Sequence, residues 1–464
     1  MKKVILSTMI ISSSLLSFGQ SAIKYPATKK IDKVDVYFGN SIPDPFRWLE
    51  DDRSAETAEW VKEQNKVTFD YLAAIPFRNT IKARMEKLWN YEKVSAPFKE
   101  GDYTYYYKNN GLQNQSVMYR KDAKGTEELF LDPNTFSKDA TTSLDGVSFS
   151  KDGSLVAYSI SEAGSDWRKV IFIDAKTKQS IGEPLVDVKF SGLSWKGNEG
   201  IFYSSYEKPK GSELSAKTDQ HRLFFHKLGT KQAEDAILFG DQEKRRYVGG
   251  YVSDDNRYLF ISAANSTSGN ELYLKYLSVP NSPIVAIHKG FEYDVDVLDN
   301  IGTTLFIVTN LKAPNKRIVT VDVANPGVEN WKDLIPETEQ VLNPSTGAGY
   351  IFANYMKDAV SVVKQFDYKG KLIRTIALPG VGTASGFGGK AKDKELYFSF
   401  TNYVTPGTTY TFFPDSGKSS VYVKPKVDFV SENYESKQVF FTSKDGTKVP
   451  MIITHKKGLQ LYGK

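Results

Sequence analysis

One short strand pattern recurs seven times along this sequence, and it limits the folds available. It appears as "YTYYY" from Tyr103, "LVAYS" from Leu155, "IFYSS" from Ile201, "YLFIS" from Tyr258, "LFIVT" from Leu305, "IFANY" from Ile351 and "LYFSF" from Leu396. The spacing is 45 to 57 residues. Four short strands with their turns fill about that length, which is the period of a propeller blade. Turn sequences such as Lys151-Asp152-Gly153 and Asp254-Asp255-Asn256 precede members of the series. A β-sandwich is the alternative all-β arrangement, but two stacked sheets do not account for seven similar units. With 27 Tyr, 28 Phe and only 6 Met, the composition favours strands and turns over helix bundles.

The two ends of the sequence break the pattern. Lys2 and Lys3 precede an apolar run from Val4 to Phe18, followed by Gly19, Gln20, Ser21 and Ala22. A charged start, a short apolar stretch and small residues predict a secretory signal peptide over 1–20, cleaved near residues 20 to 22. The run is too short for a transmembrane helix, and no later stretch is apolar enough for one. A soluble periplasmic or secreted protein is expected. There is no cysteine, so such a protein relies on core packing without disulfides, and thiolate metal sites and a Cys nucleophile are excluded. The formal charge of +6 falls to about +4 once Lys2 and Lys3 leave, and basic residues alternate with acids, which argues against nucleic acid as a partner.

Residues 44–72, "DPFRWLEDDRSAETAEWVKEQNKVTFDYL", read as a turn and an amphipathic helix capped near Ser54. Trp60, Gln64, Val67 and Tyr71 share one face, with Val61 and Thr68 alongside. Pro76 ends that element, and Ile81, Met85, Leu88 and Trp89 mark a shorter second helix. The first helix has no apolar partner nearby in the sequence. Past Asp428 a hairpin is predicted, with strands over 438–442 and 449–455 and a turn over 443–447.

These residues resemble the prolyl oligopeptidase family of serine peptidases. The resemblance rests on "YPATKKIDKVDVYFGNSIPDPFRWLEDDRSAETAEWVKEQNK" near the start, "NNGLQNQSVMY" from Asn109, "FSKDGSLVAYSISEAGSDW" from Phe149 and "FTSKDGTKVPMIITHKKGL" from Phe441. Within the family, "GLQNQSV" and "GSDW" are similar to the branch that cuts after proline; a member cutting after basic residues remains an alternative. The resemblance implies a mainly β chain: a seven-bladed propeller inserted in an α/β-hydrolase. Residues 21–75 are then the first hydrolase segment, 76–428 the propeller and 429–464 the return to the hydrolase. The apolar face of the opening helix would find its partner in that distant part of the sequence. A non-catalytic propeller that binds a ligand is the rival class, and residues 25–72 speak against it.

A serine peptidase of this kind needs a Ser/Asp/His triad, with the serine on a G-x-S-x-G elbow. No such motif is present; "GLSWKG" at Gly192 and "GVSFSKDG" at Gly146 lack the second glycine and read as blade strands. The triad is expected beyond Lys464, and these 464 residues are expected to be inactive alone. His221, His226, His288 and His455 lack metal-ligand spacing, and the run "GVGTASGFGG" at Gly380 reads as an inter-blade loop and not a nucleotide fingerprint. No metal or other cofactor is expected. By resemblance, Phe190 matches an aromatic near the substrate residues upstream of proline. Thr267 matches a position near the site that is cysteine in some relatives. Asp166 matches a propeller acid that pairs with a substrate-binding arginine of the hydrolase. Ordinary blade core for Phe190, a turn for Asp166 and an exposed loop for Thr267 are the alternatives. The expected partners are short proline-containing peptides admitted past the propeller to a monomeric enzyme, without membrane or nucleic acid.

Overall fold

In the computed structural model, residues 23–208, 218–460 and Tyr462 are described. The predicted signal peptide lies outside them. Two compact units are distinguished among the described residues: 23–82, and 83–208 with 218–460.

In the first unit the strands Val34–Tyr37 and Asn40–Pro43 form a hairpin, and helix α1 runs over Ala55–Ala73. Ser54 caps it: its Oγ accepts the Thr57 N–H at 3.0 Å, and Glu56 sits in the first turn, where the helix dipole favours an acid. The indoles of Trp48 and Trp60 donate to the Lys29 carbonyl and Thr28 Oγ1, at 2.9 and 3.0 Å, and so tie the preceding chain to the helix. Only Thr57 of α1 is buried. Trp60 and Val67 are half-buried, and Val61, Phe69 and Tyr71 are exposed. A second helix, α2, spans Arg78–Trp89 and has no buried residue; Ile81, Met85 and Trp89 are exposed. The amphipathic pattern therefore produced helices, yet their apolar stripes lack a core, as the sequence led us to expect.

From residue 93 to 423 the second unit is a seven-bladed propeller. The blades occupy 93–131, 142–189, 194–239, 247–288, 295–335, 341–375 and 383–423. Each is an antiparallel sheet of consecutive strands, so no strand is shared between the first and last blades. In blade 1 the innermost position is split into Lys93–Val94 and Phe98–Glu100, and Pro97, which has no N–H to give a ladder, lies in the gap.

All seven recurring segments are the second strand of their blade: Tyr103–Asn109, Leu155–Glu162, Gly200–Ser205, Tyr258–Ala264, Thr304–Thr309, Tyr350–Lys357 and Leu396–Asn402. The physical reason is two-sided burial. An interior strand has a neighbouring blade against each face, so its apolar residues run on without alternation. Tyr258, Leu259, Phe260 and Ile261 are all 0 or 1% exposed. Fourth strands sit at the rim and leave Leu129, Ile237, Leu372 and Val421 exposed. The apolar contacts gather into clusters between consecutive blades, such as Trp195 and Tyr203 with Val170 and Phe172, or Phe352 with Phe387, Phe398 and Phe412.

Two sequence expectations need correction. The glycine run at Gly380 is not simply a loop, because residues Thr383–Gly386 form the innermost strand of blade 7. Its small residues permit close approach: a Cβ on Gly382 would meet the Thr401 carbonyl oxygen at 2.4 Å. The terminal hairpin is longer than predicted, with strands Tyr434–Thr442 and Lys448–Lys456. Within 449–454 every side chain is exposed or half-buried.

Candidate functional site

Successive strands of a blade alternate in direction. The links between second and third strands, and those from a fourth strand to the next blade, therefore emerge on one face. Asp166 lies in the link between Leu155–Glu162 and Trp167–Asp174 of blade 2. Phe190 follows Leu185–Lys189 and precedes Ser194–Lys196 of blade 3. Thr267 lies between Tyr258–Ala264 and Glu271–Tyr276 of blade 4. The topology thus places all three on the same face. Pairing of Trp167 with Lys189 puts Asp166 and Phe190 at the same end of blade 2.

Phe190 is the centre of this face. It is 49% exposed, so it is not blade core. Its φ of 53° places a bulky residue in left-handed backbone, a conformation that persists only where the surroundings enforce it. Its ring centroid stands 6.2 Å from Tyr206 and 6.1 Å from Tyr247. His221, fully buried, supplies the constraint. Its Nε2–H donates to the Lys189 carbonyl at 2.9 Å, and its Nδ1 accepts the Val248 N–H at 2.8 Å. One imidazole therefore joins blades 2, 3 and 4 and anchors the peptide unit that leads into Phe190. Burial pushes the His221 titration down to about 4, so near neutral pH it is the neutral tautomer these bonds require. Tyr206 stacks on His221 at 4.2 Å and donates its hydroxyl to the Arg246 carbonyl; burial pushes that phenol up to about 12.

Cations surround the aromatic rings. Lys189 Nζ lies 4.9 Å from the Trp167 ring and 5.1 Å from Phe190, while Lys208 pairs with Asp187 at 2.7 Å. Arg246 lies over Tyr247 at 5.8 Å. Residues 265–268, Thr267 among them, are exposed, and the link is tethered at both ends. Asn265 Oδ1 accepts the Arg246 N–H at 3.4 Å, and Asn270 exchanges two 2.9 Å bonds with the backbone of Val295 in blade 5. Asp166 is exposed and makes no ion pair among the described residues.

Sequence reasoning named Phe190, Thr267 and Asp166 but missed Trp167, Lys189, Tyr206 and His221 as a group. The "GSDW" block held one of them; nothing local marks the others.

No histidine among the described residues belongs to a Ser/Asp/His triad. His226 Nδ1 donates to Asp235 at 2.9 Å, but it is buried in the seam between blades 2 and 3 and stacks on Phe172. His288 Nδ1 donates to the Asn270 carbonyl at 3.1 Å and His455 Nδ1 to that of Lys456 at 2.9 Å. The described residues hold no group of three side chains fit to bind a metal ion.

Fold and face together define a class: a seven-bladed propeller domain that presents an aromatic, cationic surface on one side. Residues 26–425 match the family profile described as "Prolyl oligopeptidase, N-terminal beta-propeller domain", and the chain belongs to the prolyl oligopeptidase family. It is 58% identical over 446 residues to the prolyl endopeptidase of Elizabethkingia miricola, a match covering 96% of this chain and 63% of that protein. A solved prolyl endopeptidase structure superposes with a TM-score of 0.85 at 30% identity, covering 94% of this chain and 65% of that one. Prolyl oligopeptidase B from Galerina marginata, bound to a 35-mer hydrolysis and macrocyclization substrate, superposes with a TM-score of 0.82 at 26% identity, covering 94% and 66%. The chain thus spans less than two thirds of the length of each.

Proposed function

We propose that this chain is the propeller-bearing part of a serine peptidase that cuts short peptides after proline. In this reading the propeller acts as a size filter over an α/β-hydrolase centre. The observation that carries it is the 58% identity to a prolyl endopeptidase across 96% of the chain. The uncovered stripes of α1 and α2 and the long hairpin at 434–456 accord with segments of a second body. That body would supply the Ser/Asp/His triad, and an acyl-enzyme at the serine would be formed and hydrolysed there. On the propeller face, Phe190 and Thr267 would border the substrate residues upstream of proline, and Asp166 would pair with an arginine of the hydrolase. No cofactor is needed for this chemistry.

The test has two arms. The 464 residues alone should not hydrolyse a chromogenic peptide ending in Gly-Pro. The same residues, joined to the remaining C-terminal part of the Elizabethkingia miricola relative, should release chromophore from that peptide and leave an Arg analogue intact. Turnover in the first arm, or Arg preference in the second, would overturn the reading. We further propose export, supported by the charged and apolar start of the sequence, and a monomeric state. Mass measurement of the periplasmic product, and light scattering, check both.

A further inference from the structure

Lys189 is 8% exposed, yet among the described residues its ammonium has neither a hydrogen-bond partner nor an ion pair. The burial is that of the stem: Nζ is not among the buried polar atoms left without a partner, so a solvated ammonium is held at a fixed place on the face, open to an anion. The nearby acid Asp187 is already engaged by Lys208 at 2.7 Å. The alkyl stem of Lys189 is packed, and its Nζ sits between the Trp167 and Phe190 rings, at 4.9 and 5.1 Å. The faces of those rings bear on the ammonium. The backbone that carries it is rigid: the Lys189 carbonyl is held by His221, and Asp187 and Phe190 flank it at φ of 54° and 53°.

We propose that Lys189 is an anion subsite that takes the side-chain carboxylate of an acidic residue lying shortly upstream of proline in a peptide. The inference rests on the peptide-cutting reading above, since it places that part of a substrate against Phe190. A single ammonium matches a single carboxylate. Phosphate sites, in contrast, gather several converging donors, whereas beside Phe190 a single ammonium, that of Lys189, lies 5.1 Å from the ring.

The experiment uses the full 464-residue chain. The Trp167 indole N–H signal, assigned by its loss in Trp167→Phe, reports binding by NMR. Two capped tetrapeptides ending in proline are titrated, identical except for Glu or Gln two residues before it. The Glu peptide should bind about tenfold more tightly at low salt, with the difference shrinking as ionic strength rises. Lys189→Met should bring the ratio to about one, and Lys189→Arg should retain the preference. Melting curves of both variants check that the fold survives, and Lys392→Met, on a distant turn, should leave the ratio unchanged. Equal affinities, or no Trp167 shift with either peptide, overturn the proposal. So does a shift by sodium phosphate alone at the concentration where the Glu peptide acts, which would mean a simple anion site. Failure of the joined enzyme to cut prolyl peptides, with the Glu preference intact, would sink the peptidase reading alone.

Discussion

The seam joining blades 2, 3 and 4 and the seam between blades 7 and 1 solve the same problem differently. Around blade 3, apolar clusters fill both gaps, and His221 bonds to the backbone of both neighbours. Six such clusters occupy the gaps from blade 1 through blade 7. Among the described residues none of them spans blades 7 and 1. What joins that pair is polar: Lys390 Nζ donates to the Lys99 carbonyl at 2.9 Å and pairs with Glu100 at 2.6 Å. The difference teaches that the ring is held mainly by apolar packing around six gaps, and that the candidate site lies beside seams that a buried imidazole also bridges. A face that must hold Phe190 in left-handed backbone needs such rigidity.

The largest effect should come from the core. Phe260→Ala, in the cluster between blades 4 and 5, should cost about 3–5 kcal/mol in denaturant unfolding. A cost under about 1 kcal/mol would break the claim that apolar packing dominates. Next comes pH. The His221 pKa is lowered from 6.5 to about 4 on folding, so protonation favours the unfolded chain. The stability this group contributes is full above about pH 6.5 and is lost progressively as pH falls toward 4, by about 3 kcal/mol at most. His221→Leu should lose two buried bonds at neutral pH and show a shallower stability slope across that window. An unchanged slope would remove His221 as the strut.

Gly153→Ala should cost a further but smaller amount, about 1–3 kcal/mol. Its φ is +75°, and a Cβ there would sit 2.3 Å from the Gly101 backbone nitrogen, where blades 1 and 2 approach. Smallest is Lys390→Ala. Its side chain is 53% exposed, so the pair should be worth less than about 1 kcal/mol and vanish in high salt. A loss comparable to that of Phe260→Ala would erase the contrast between the seams. Native-state hydrogen exchange sharpens it: amides of Phe98–Glu100 should exchange faster than those of Tyr258–Ala264.

Much of the architecture was readable because two-sided burial writes itself into local sequence. The segments from Tyr103 to Leu396 looked alike since each is an interior strand, and Ser54 announced α1 because a cap is a local device. The innermost strand Thr383–Gly386 was missed because glycine-rich strands carry no apolar period. Phe190, Thr267 and Asp166 were reached through family resemblance, not through any spacing of their own.

What the sequence determined by itself is therefore the repeating unit, its number and the identity of its buried strands, for a strand covered on both faces must be apolar at successive positions, and that run is written in consecutive residues. Only the tertiary structure decided which gap lacks an apolar cluster, that His221 reaches two other blades, and that the Lys189 stem is packed while its ammonium stays without a counter-ion among the described residues. Those outcomes depend on side chains tens of residues apart meeting across seams, and no local period records them.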